Sequence, residues 1–101
     1  MSKFGSVKTK VDNITFDSKK EAARYVDLKL LLKAGEISDL ELQPTYVMIV
    51  NKQKICPYRA DFRYRESGKL VVEDTKGVRT PVYRIKAKLM RACYGIEICE
   101  T

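Results

Sequence analysis

Apolar and polar positions along the 101 residues repeat with two different periods, and the switches between them mark the elements. Val11-Asp12-Asn13-Ile14-Thr15-Phe16 reads as a small hairpin turning on Asp12-Asn13, residues that tolerate the positive φ of a tight turn. Ser18-Lys19-Lys20-Glu21 matches a capping box and opens a helix. That helix runs to about Ala34 and stops at Gly35. Within it Glu21, Tyr25, Leu28 and Leu32 follow i, i+4, i+7, i+11, which is one helix face. Glu21 therefore ends the stripe that faces the protein body. After Leu42-Gln43-Pro44 the alternation predicts a strand over residues 46–50, a turn over 51–53, and strands over about 55–64 and 70–76. Gly77 breaks the chain, and Thr80 with Pro81 reads as an N-cap followed by the first helical position. The second helix presents Val82, Ile85, Leu89 and Ala92 as its apolar stripe and ends near Tyr94-Gly95, leaving residues 96–99 for a short final strand. Helix, three strands, helix, strand is an α/β order with a mixed four-stranded sheet flanked by helices, and the second helix is expected to make a right-handed crossover.

Hydrophobic residues make up 45% of the chain, so a folded core is expected. Residues 1–10 read as a loose basic tail and residues 11–101 as a single domain. No apolar run approaches the roughly 20 residues of a membrane span. The start, Met1-Ser2-Lys3-Phe4-Gly5, lacks the apolar core of a signal peptide, which makes the cytoplasm the expected location. Net charge is +7. A generic basic surface explains that figure, and so does a polyanionic partner, most often nucleic acid. The three cysteines, Cys56, Cys93 and Cys99, form no Cys-x-x-Cys pair and lie in or beside apolar runs, so they read as buried small residues rather than a disulfide framework. Histidine is absent, which removes His-based acid/base chemistry and the usual zinc sites.

One constellation changes this picture. Asp74-Thr75-Lys76 ends the run Leu70-Val71-Val72, and Asp61 lies within Tyr58-Arg59-Ala60-Asp61-Phe62-Arg63-Tyr64. A two-residue turn at Ser67-Gly68 sets Asp61 directly across from Asp74, with Cβ atoms roughly 4.5–5.5 Å apart, where like charges are destabilising. A cation bound between them offsets that cost. Acid-x-Lys also occurs at Asp17-Ser18-Lys19 and Asp27-Leu28-Lys29, but only on a strand do residues i and i+2 share a face, which selects Asp74 and Lys76. Two carboxylates suit Mg²⁺ with positions left for water and a phosphate oxygen, and a nearby lysine stabilises developing negative charge. Each residue also has a plainer reading. Glu21 partners Ser18 in the capping box, Asp61 pairs with a neighbouring arginine, and Lys76 is solvated edge charge. Glu73 points to the opposite face and reads as structural.

Arg59, Arg63 and Arg65 alternate on the Asp61 face, with Tyr58, Ala60, Phe62 and Tyr64 on the other. Arg84, Lys88 and Arg91 fall at i, i+4, i+7 of the second helix. Beside a carboxylate site these six residues form a candidate DNA-backbone track. Without one they are solvated faces.

At these residues the chain resembles the PD-(D/E)XK nuclease superfamily. Phe16-x-Ser18-x-x-Glu21, Leu42-Gln43-Pro44, Ala60-Asp61-Phe62 and Glu73-Asp74-Thr75-Lys76-Gly77 are similar to a small phage-encoded family within it. Holliday-junction resolvases and the endonuclease subunit of cut-and-paste transposition have similar spacing. The resemblance covers roughly residues 11–99 and implies a restriction-endonuclease-like αβββαβ core. It also implies a Mg²⁺-dependent DNA endonuclease, with Mn²⁺ as an alternative metal, located in the host bacterial cytoplasm. Asp61, Asp74 and Glu21 are the implied metal acids, Lys76 the catalytic lysine, and Gln43 a weaker site residue. Ala60 stands where the superfamily's name has proline. A branched or recombination substrate is favoured, because no separate sequence-reading domain is present, and a four-way junction implies a homodimer with two paired sites. Two other readings stay open. One is a DNA- or partner-binding module on the same fold, and the other a small basic structural protein of a virion or replication complex.

Overall fold

A computed structural model describes residues 7–76 and 78–101. Within them the Asp12-Asn13 turn forms as expected. Both residues hold positive φ, 51° and 62°, and join β1 (Thr9–Val11) to β2 (Ile14–Phe16). Most of the expected basic tail, and the break at Gly77, lie outside the described residues, while Thr9 and Lys10 belong to β1. Ser18 caps α1 (Lys19–Lys33), its side-chain oxygen accepting the Glu21 N–H, and Gly35 takes the left-handed φ of 79° that follows the helix end. Glu21, Tyr25 and Leu28 are buried as their spacing requires.

The strand that follows was not legible in the alternation. β3 (Ser38–Leu42) carries only Leu40 and Leu42 as apolar residues, holds Asp39 at φ 54°, and pairs with a register shift between Ser38 and Glu41. A bulged, polar edge strand leaves little periodic signal. β4 (Thr45–Val50) and β5 (Gln53–Arg59) then form an antiparallel ribbon of their own. The strand over 46–50 is therefore outside the main sheet, where the sequence order had placed it. Lys52 turns this ribbon at φ 66°. Replacing Lys52 with Gly removes the left-handed strain of a residue bearing a Cβ, offset in part by the greater freedom of glycine when unfolded. We expect a net gain of about 0.5–1 kcal/mol, read by urea denaturation.

The expected strand over 55–64 is interrupted. β5 ends at Arg59, β6 (Phe62–Glu66) begins at Phe62, and the chain bends at Ala60-Asp61. Simple alternation put Tyr58, Ala60, Phe62 and Tyr64 on one face. The bend instead sends Tyr58 and Ala60 into one core and Phe62 and Tyr64 into another. The Ser67-Gly68 turn is two residues long, and β6 pairs with β7 (Lys69–Asp74) in the expected register, from Glu66 opposite Lys69 to Phe62 opposite Glu73.

α2 (Pro81–Tyr94) is capped by Thr80 and ended by Gly95. β8 is Cys99–Glu100, a little later than expected, and pairs parallel to β7, so α2 provides the crossover between the two. The sheet order is β3-β6-β7-β8, a mixed four-stranded sheet. One face packs against α1 and the β1–β2 hairpin through Phe16, Tyr25, Leu28, Phe62 and Tyr64. The other packs against α2 and the β4–β5 ribbon through Met48, Tyr58, Val72, Tyr83 and Met90.

α2 turns a different side inward from the one its aliphatic spacing predicts. Tyr83 and Met90 are buried, whereas Val82 and Ile85 are exposed and Leu89 is half-buried. The helix has two apolar stripes, and the one with larger side chains fills the core. Cys99 is exposed and Cys56 and Cys93 only half-buried, so the cysteines are not the buried set expected.

Candidate active site

The bend at Ala60-Asp61 is held by backbone hydrogen bonds on three sides. Ala60 N–H donates to Pro44 O at 3.0 Å, Gln43 N–H to Asp61 O at 2.9 Å, and Asp61 N–H to Glu73 O at 3.1 Å. Gln43 makes its bond from a left-handed φ of 53° and has an exposed side chain. It thus enters the site region through its main chain. The Asp61 carboxylate, half-buried, accepts the Thr75 N–H at 2.7 Å through Oδ2.

Asp74 ends β7 with 2% of its surface exposed. Its backbone oxygen accepts the Thr101 N–H at 3.1 Å, which ties the site to the chain beyond β8. Its Oδ2 accepts the Tyr58 hydroxyl and lies 3.2 Å from Lys76 Nζ. The same ammonium sits 4.2 Å from the centre of the Tyr83 ring, a cation–π distance. Tyr83 donates to Glu100 Oε2 at 2.8 Å, and Arg79 Nε donates to Glu100 Oε1 at 2.8 Å. A cleft of about 370 Å³ beside Tyr83 is lined by these side chains with Ala87, Arg91, Glu97 and Ile98.

Burial pushes the Asp74 carboxyl up from 3.8 to about 6. The Tyr58 hydroxyl opposes the rise by hydrogen bonding to the charged form. Asp61 adds to it by repulsion and by a hydrogen bond to the protonated form, and Lys76 opposes it. Burial and the Asp74 charge push the Tyr58 phenol well above its ordinary value, so it stays a donor. Asp61 and Asp74 are therefore brought together as the hairpin register predicts, and the Asp61 charge adds to the upward shift of the Asp74 carboxyl. Two apposed carboxylates, one held by a backbone N–H and one by a phenol and an ammonium, are a donor set for a hard divalent cation.

Glu21 is buried at 1% in the first turn of α1. Among the described residues no group of three or more acidic, histidine or cysteine side chains is placed to hold a metal ion. The basic residues separate into two kinds. Arg59, Arg65, Arg84 and Lys88 are exposed. Arg63 is half-buried, bonds Glu41 at 2.5 Å and Tyr46 at 2.9 Å, and lies over the Tyr46 ring, so its guanidinium is engaged by other protein groups. Arg91 is exposed and 3.7 Å from Glu97.

Sequence reasoning missed Tyr58, Thr75, Tyr83 and Glu100. Strand alternation placed Tyr58 on the wrong face, because the bend that reverses it gives no periodic signal. Thr75 acts through its N–H, which no side-chain pattern reports. Tyr83 and Glu100 meet Lys76 only through the α2 crossover and β8.

No helix among the described residues is long and apolar enough to cross a membrane. The chain matches no curated protein and no solved structure. A protein-family model matches residues 1–98, nearly the whole length, and the chain belongs to the family that it describes, a protein of unknown function, DUF1064.

Proposed function

We propose that this protein is a metal-dependent DNA endonuclease that hydrolyses phosphodiester bonds with Asp61, Asp74 and Lys76. The apposition of Asp61 and Asp74, with Lys76 on the Asp74 carboxylate, carries the reading. A fold tolerates a buried aspartate pressed against a second aspartate most readily when a cation belongs between them. The donor set, two carboxylates, fits Mg²⁺ or Mn²⁺. When bound, such an ion supplies Lewis acidity toward a phosphoryl oxygen and acidifies water. Asp61 and Asp74 hold the ion in this reading, and Glu21 is the further acid of the same proposal. Lys76, fixed by Tyr83 and Asp74, places a positive charge where the reacting phosphate gains negative charge. Tyr58 orients the Asp74 carboxylate by donating to it. Arg59, Arg65, Arg84 and Lys88 are exposed for backbone contacts.

The order α1, β3, β6, β7, α2, β8 supports a restriction-endonuclease-like αβββαβ core, with the β4–β5 ribbon as an insertion. A branched or recombination substrate and a homodimer remain parts of the proposal, as does the cytoplasm as location. Sedimentation alone and on four-way-junction DNA checks the dimer.

The test of function is cleavage of a panel of four-way junction, flap, nicked, single-stranded and linear duplex DNA with Mg²⁺ and with Mn²⁺. Cutting that Asp61→Ala abolishes is the expected result. Salt-sensitive binding without cutting, unchanged by Asp61→Ala, leaves a binding module instead.

A further inference from the structure

α2 carries an apolar seam that the fold leaves in water. Val78, Val82 and Ile85 are 64%, 60% and 59% exposed. Val78 precedes the helix, and on α2 itself Val82, Ile85, half-buried Leu89 and exposed Ala92 are spaced by three, four and three residues. That is the repeat against which a second helix packs. The opposite side of α2 is fixed in the core through Tyr83 and Met90, and Leu89 packs against that core from the edge of the seam, while Val82 and Ile85 stay exposed. Its surroundings carry one sign of charge. Arg84, Lys86, Lys88 and Arg91 lie on the helix, which has no acidic residue, and Lys86 and Lys88 occupy the positions flanking the seam.

We propose that this face of α2 docks an acidic amphipathic helix of another protein, with aliphatic residues on the seam and Asp or Glu opposite Lys86 and Lys88. Four candidate occupants present different chemistry. A second copy of this chain packing through the same seam sets lysine against lysine, which disfavours the pair. A DNA backbone neutralises the lysines but leaves Val82 and Ile85 in water. An anionic membrane satisfies both, but the exposed stripe has few aliphatic side chains and no aromatic one, too little to anchor a helix whose other face is held in the core. An acidic amphipathic helix covers the aliphatic seam and pairs the flanking lysines together, and so matches every feature. The inference does not rest on the catalytic part of the nuclease reading, because neither Asp61, Asp74 nor Lys76 takes part, though it uses Lys88, which that reading offers to the DNA backbone.

The probe is a synthetic monomeric helix, lactam-bridged, with leucine at the seam positions and glutamate flanking them. Its counterpart carries lysine in place of glutamate. Calorimetry on the full chain should show binding of the glutamate helix alone, with amide shifts at residues 82–89. Val82→Ser with Ile85→Ser replaces exposed side chains, leaves the melting temperature unchanged, and should weaken binding at least ~10-fold. Lys86→Glu with Lys88→Glu should reverse the preference toward the lysine helix. The proposal is overturned if the glutamate helix does not bind, or binds equally well to the serine variant. It is overturned also if the serine variant loses self-association, phosphatidylserine-vesicle binding or junction-DNA binding that the wild type shows through this face.

Discussion

Asp74→Asn is expected to abolish DNA cleavage, by at least ~10³-fold, while raising the melting temperature of the metal-free protein at pH 8. The loss of activity follows from removing a charge that the proposed cation and Lys76 both require. The gain in stability follows from the raised carboxyl. A folded-state value of about 6 against an ordinary 3.8 means that the folded protein holds this proton more tightly than the unfolded chain does. The contribution is fully present below the ordinary value and is lost as pH rises through about 6. Above that, the ionised carboxylate costs on the order of 2–3 kcal/mol. Asparagine keeps an acceptor for the Tyr58 hydroxyl and ends the repulsion with Asp61, while giving up the ion pair with Lys76. A net gain of about 1–2 kcal/mol, several degrees in a domain of this size, is the expected result. The difference from wild type should be largest above pH 6 and close below pH 4. Adding Mg²⁺ at pH 8 should stabilise the wild type and leave Asp74→Asn unmoved. If the variant is less stable than wild type at every pH, Asp74 is a structural ion-pair member and the metal reading falls with it.

How much of this was legible depended on whether a residue's partner lay close in sequence. Asp12-Asn13, Ser18, Gly35, Ser67-Gly68, Thr80-Pro81 and Gly95 act on the backbone within a few residues, and every turn and helix end they mark is in the structure. The two-residue turn at Ser67-Gly68 fixes a register that carries to Phe62 opposite Glu73, one step short of Asp61 and Asp74. The strand break at Ala60-Asp61 was hidden because the bonds that hold it come from Gln43 and Pro44, in a different segment. Alternation carried across the break put Tyr58 away from Asp74, when it is the donor to that carboxylate. On α2 the spacing of Val82, Ile85 and Leu89 was a true periodicity assigned to the wrong side. Tyr83 and Met90 form an equally regular stripe, and which stripe turns inward is decided by the sheet and ribbon packed against it. Arg63 shows the same limit. Its exposure was inferred from β6 alone, and Glu41 on β3 and Tyr46 on β4 take it up.

Arg24→Met is expected to lower the unfolding free energy by about 3–5 kcal/mol, a large effect for a single change away from the aspartate site. Glu73 is 0% exposed and projects from β7 to the α1 side. Arg24 Nε donates to its Oε1 at 2.9 Å and Arg24 Nη2 to its Oε2 at 2.6 Å, a bidentate pair, and the Tyr64 hydroxyl donates to Oε2 as well. The Glu73 carboxylate holds the Arg24 guanidinium even further into its charged form. Removing the arginine leaves a charge in the core with one neutral donor, at a cost of about 3–5 kcal/mol. The whole stability of a small domain is about 5–15 kcal/mol, so this loss is a large share of it. Glu73→Gln added to Arg24→Met removes the stranded charge and keeps an acceptor for Tyr64. The double variant should therefore recover at least ~1 kcal/mol over Arg24→Met, a non-additivity that denaturant titration of all three variants reads directly. Equal stability of the double variant and Arg24→Met would mean that water reaches Glu73 once Arg24 is gone. The pair matters to the site because Glu73 and Asp74 are consecutive residues on opposite faces of β7. Arg24 pins the strand from the α1 side, and Tyr58 and Lys76 hold the next carboxylate from the other. Glu73 fixes the end of β7 in place, and that placement sets Asp74 against Asp61.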